Sequence, residues 1–135
     1  VDEAMLAFGM PMGPIALVDM VGLDVAMAAG KGLAGVSVEP PKCLVERFNA
    51  GYLGKKSGKG FYDYSKGRAE KGVAGIVPAG LAERLIAPLL ERTQQLVDAG
   101  IVADADLADA GVIFGTGFAP FTGGPLNYVK TRNKD

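Results

Sequence analysis

Residues 9–24 read GMPMGPIALVDMVGLD, and residues 115–129 read GTGFAPFTGGPLNYV. Both stretches are glycine and proline turns that open onto an apolar run. Pro14 and Pro125 suit the first position of a helix, where the missing N–H costs nothing and the ring presets φ. Gly9 matches Gly117, Met10 matches Phe118, Pro11 matches Pro120 across one inserted residue, and Pro14 matches Pro125 across a second. A short helix with acid near its start precedes each turn: VDEAMLAF in the first case, ADAGVIF in the second. The pattern predicts an internal duplication of a small helical unit.

The remaining segments agree with an all-α chain. Apolar residues recur at helical spacing from residue 15 onward, broken near Gly22, with Asp24 placed to cap a second segment. EPPKCLVERFNAGYLG (39–54) predicts a short helix opened by proline and closed by glycine. The strongest helix is AGLAERLIAPLLERTQQLVDAG (79–100). Leu81, Leu85, Leu89, Leu96 and Val97 are expected along its buried face, Pro88 should kink or break it, and Gly100 suits its end. Asp104 can cap a helix over 105–114, and LNYVK follows Pro125. GFYDY (60–64) predicts a short strand, so strand content is close to none. The expected organisation is a first repeat over 1–64, a linker over 65–78 and a second repeat over 79–135. The chain begins at Val1, and no long helix precedes the first turn as 79–100 precedes the second. The expectation is therefore a piece of a longer protein.

Composition narrows the function. Lys+Arg 14 against Asp+Glu 15 argues against a nucleic-acid binder carried by bulk charge. No apolar run is long enough for a membrane span. A lone cysteine, Cys43, excludes an internal disulfide and suits a reducing cytoplasm; its apolar neighbours predict a core position. The absence of histidine removes a Ser-His-Asp triad, a Cys-His pair and most zinc sites from these residues.

Two segments imitate nucleotide loops. Gly51 to Ser57 (GYLGKKS) has its glycines too close and its serine one place late for a Walker A loop, and a strand-like run follows instead of a helix. Two readings of LGKKSGKGFYDY (53–64) stay open: a solvated basic turn, or lysines and backbone that touch a phosphate of a larger ligand. GVIFGTGFAP (111–120) starts like a dinucleotide fingerprint but has Pro120 in place of the third glycine. Gly115 and Gly117 are expected to permit a tight turn after a helix. The acids form no convincing catalytic pair. Asp2, Glu3, Asp19, Asp24, Asp104, Asp106 and Asp109 are read as caps or solvated groups, and Phe61, Tyr62 and Tyr64 as packing residues.

The two turns, with GKKSGKGFYDY between them, resemble the C-terminal part of the 3-hydroxyacyl-CoA dehydrogenases. GMPMGPIALVDMVGLD resembles that family's turn and helix, GYLGKKSGKGFYDY the end of its first C-terminal repeat, and residues 83–129 the second repeat of multifunctional β-oxidation proteins. The resemblance implies two small helical repeats, as in the C-terminal domain of 6-phosphogluconate-dehydrogenase-like proteins. It implies part of an enzyme that oxidises L-3-hydroxyacyl-CoA to 3-ketoacyl-CoA, with NAD and the catalytic His–Glu pair held by an N-terminal domain outside these residues. No catalytic, cofactor or metal residue is then expected here, and the chain alone should be inactive. One substrate residue carries over: Phe114 stands where the multifunctional proteins have a tyrosine associated with substrate, so only apolar contact would remain. The implied partners are the acyl-CoA, the rest of the parent enzyme and a second copy in a homodimer. The rival reading is a stand-alone helical interaction module without ligand.

Overall fold

The computed structural model describes residues 1–34, 39–73 and 75–133. The few residues of the expected repeats and linker that fall at 35–38, 74 and 134–135 lie outside the described residues. Seven α-helices occupy the described chain: α1 (Asp2–Phe8), α2 (Pro14–Val21), α3 (Leu23–Ala34), α4 (Lys42–Asn49), α5 (Leu81–Asp98), α6 (Ala105–Thr116) and α7 (Pro125–Arg132). Among the described residues, extended pairing is limited to isolated bridges, Gly54 with Lys59, Lys59 with Asp63 and Asp63 with Glu70. The GFYDY strand is therefore a set of single bridges.

The backbone forms two compact units: Val1, residues 3–13 and residues 76–135 make one, and Asp2 with residues 14–75 the other. Residues 3–13, part of the expected first repeat, pack with the second half of the chain. The reason lies in the first unit's core. Met5, Ile86 and Phe118 are buried together, with Phe8, Met10, Leu89, Leu90 and Tyr128 packed around them. Phe8 stands edge-on to Phe118 at 5.6 Å and to Tyr128 at 5.4 Å, the arrangement that the ring quadrupoles favour. An apolar face as rich as that of α1 gains most by joining this aromatic cluster.

Within the first unit α5, α6 and α7 pack on one another. The fully buried positions of α5 are Ile86 and Thr93; of the residues expected inward, Leu89 packs on the core and Leu81, Leu96 and Val97 are half-buried, whereas Leu85 is exposed. Thr93 is tolerated inside because its hydroxyl donates to the Leu89 carbonyl at 2.8 Å. The helix runs through Pro88 without a break. Asp104 caps α6 as expected, accepting from Leu107 N–H at 2.8 Å.

In the second unit α3 packs on both α2 and α4, and a 3-10 turn at Lys55–Ser57 packs on α2. Leu23 is fully buried there. Cys43, expected in the core, is exposed on α4. The apolar residues of α4 are too few to bury every face of an eight-residue helix, and Cys43 falls outside the stripe that contains Leu44 and Arg47.

Candidate functional site

Two turns of like sequence have like geometry. Gly9 ends α1 at φ 105° and Gly117 ends α6 at φ 70°, both left-handed conformations that disfavour any residue with a Cβ. Pro14 and Pro125 each open the next helix. A helix opened in this way leaves N–H groups without partners, and a buried carboxylate accepts them in both places. Asp2 accepts from Ile15 N–H at 2.8 Å and from Ala16 N–H at 2.9 Å. Asp109 accepts from Leu126 N–H at 2.7 Å and from Asn127 N–H at 2.9 Å. Each acid therefore caps the helix after the turn, with its negative charge at the positive end of the dipole. The expectation of caps or solvated groups is half corrected: Asp2 and Asp109 are caps, but of a helix 13 and 17 residues away, and both are buried. The signal available in the sequence was the acid placed seven residues before Gly9 and eight before Gly117.

Asp19 has no second copy, and it explains the basic loop. It is 0% exposed, and its two carboxylate oxygens accept from Phe61 N–H and Tyr62 N–H, each at 2.8 Å. Gly54 and Gly60 press so close to Asp19 that a Cβ on either would collide with it. Ser57 ties the intervening turn, accepting from Leu53 N–H at 2.8 Å and donating to the Lys59 carbonyl at 2.8 Å. Lys56 reaches across to Asp24 at 2.5 Å, and that pairing holds the Asp24 carboxyl below its ordinary value. The anion cradled by the loop's backbone is thus the chain's own carboxylate. Asp19, expected as a cap or solvated acid, is a buried anchor, and the two glycines at the ends of the loop are buried with it.

The tyrosines complete this cluster in the second unit. Tyr62 donates its hydroxyl to Asp2 at 2.8 Å. Tyr64 has its phenol pushed up to about 12, first by burial and then by the negative charges of Asp19 and Asp2. The carboxylate oxygens of Asp2 and Asp19 are all engaged by backbone N–H groups, so neither presents a free base. The raised Tyr64 value has a stability consequence. The native state holds the proton more tightly, so the contribution is intact below pH 10 and is lost as pH rises from about 10 to about 12. A spectrophotometric titration of the phenols should show a late component that is lost in Tyr64→Phe. Four phenols ionising together would contradict the buried cluster.

Phe114, the substrate residue carried over by resemblance, lies on α6 and is 89% exposed. It shares no cluster with the buried acids. Gly115 lies within α6 and Gly117 caps its end, so only Gly117 forms the turn expected of both. Phe114→Tyr should leave thermal stability within about 0.5 kcal/mol of the parent, since the added hydroxyl meets solvent. A large fall in the melting temperature would place the ring in a buried environment instead.

The family model described as 3-hydroxyacyl-CoA dehydrogenase, C-terminal domain matches residues 1–64. Over those residues the chain belongs to that family. The fatty acid oxidation complex subunit alpha of Shewanella oneidensis is 37% identical over 150 aligned residues, covering 99% of this chain and 21% of that protein. The subunit of the same description from Shewanella baltica strain OS155 is 38% identical, covering 96% of this chain and 21% of its own length. The chain therefore spans about a fifth of the curated relatives it matches. The crystal structure of the dehydrogenase part of multifunctional enzyme 1 from C. elegans has the same fold, with a TM-score of 0.56, 23% identity and coverage of 77% of this chain and 27% of that one. The all-α architecture expected from the turns is thus the helical fold of these dehydrogenase proteins. Within the 3-hydroxyacyl-CoA dehydrogenase domain of residues 1–64 fall the Asp2 cap, the buried Asp19 and the glycine–lysine loop around it.

Proposed function

We propose that this chain is the C-terminal, substrate-side portion of an NAD-dependent 3-hydroxyacyl-CoA dehydrogenase of fatty-acid β-oxidation. In that reading the sequence falls into two C-terminal repeats, 1–64 and 79–135, joined by 65–78. The observation that carries the reading is similarity along 99% of the chain to fatty acid oxidation complex subunits alpha. The described residues do not suit NAD itself. The glycines that imitate a dinucleotide loop stand at the C-terminal, negative end of α6, where a pyrophosphate would be repelled. NAD and the proton-abstracting base therefore belong to another part of the protein, in keeping with the absence of histidine here.

The role left to these residues is shaping and assembly. Phe114, exposed on α6, would offer apolar contact to the acyl chain. Leu17, Met20, Val21 and Val25 form an exposed apolar surface on α2 and α3 that would be covered in a homodimer. Two measurements test the reading. The 135-residue chain should produce no NADH from 3-hydroxybutyryl-CoA, while the same chain joined to the NAD-binding part of a relative should. Failure of the joined protein to turn over substrate, although folded, would count against it. Light scattering should give a dimer, and a concentration-independent mass of 13.9 kDa would refute that part.

A further inference from the structure

We draw no further inference here: the strongest candidate, the apolar groove between α5 and α7 lined by Ala87, Leu90, Leu126 and Val129, carries nothing because nothing in the structure shows what covers it.

Discussion

Asp19→Ala is expected to destabilise the second unit by about 3–5 kcal/mol, because it strands two buried backbone N–H groups together. Those donors belong to Phe61 and Tyr62, and the fully buried carboxylate of Asp19 is their partner in the chain. Nothing of similar shape replaces it: Gly60 is packed against the carboxylate and Gly54 against the Asp19 backbone, and an alanine leaves a gap beside Gly60. Asp19→Asn separates the contributions. The amide keeps one acceptor oxygen but turns an NH₂ toward the second N–H, so its cost should be about half that of alanine. For a domain of this size a loss of 1 kcal/mol lowers the melting temperature by roughly 4–8 °C, so Asp19→Ala should melt tens of degrees early. Gly54→Ala should do comparable harm by another route, since φ there is 94° and the new Cβ would strike the Asp19 backbone. Far-UV circular dichroism on urea unfolding reads all three. A parent-like midpoint for Asp19→Ala would remove the basis for calling this carboxylate the anchor of the loop.

Phe118→Ala is the second large effect, about 3–5 kcal/mol, and it falls on the first unit. Phe118 is 0% exposed and holds Phe8 edge-on at 5.6 Å, with Met5 and Ile86 on the same core. Truncation removes the apolar area and leaves a cavity that three helices and a turn cannot close without losing other contacts. A double-mutant cycle with Phe8→Leu should return about 0.5–1.5 kcal/mol for the ring pair itself. Hydrogen exchange should locate the loss in the amides of α5, α6 and α7. Unchanged protection there would mean that Phe118 does not hold these helices together.

The two variants probe features that differed in how visible they were beforehand. The turns and helix ends were legible, because their chemistry is local. A proline at a first helical position, a glycine with positive φ after the last turn and an aspartate accepting from the third residue on need only near neighbours. The likeness of the two turns was legible for the same reason, and α2 and α7 are capped alike by buried carboxylates. The inward face of α5 was legible only in part. Leu89 packs on the core and Leu81, Leu96 and Val97 are half-buried, yet the fully buried positions are Ile86 and Thr93 and Leu85 is exposed, because the position of α1 and Phe118 decides which side is covered. Of the candidate site, Phe114 was reached by resemblance, and nothing local to its helix could say that it stands open to solvent.

The acids mark the division most sharply. By itself the sequence determined an all-α chain, its turns, and the absence of a histidine base, since these follow from residue identity and short-range sterics. Only the tertiary structure decided that Asp19 is buried while Asp24 is not. The two are alike in type and five residues apart on consecutive helices, but the N–H groups that make burial affordable for Asp19 come from residues 61 and 62. A charged group leaves water only where distant partners converge on it, and that convergence is a property of the fold.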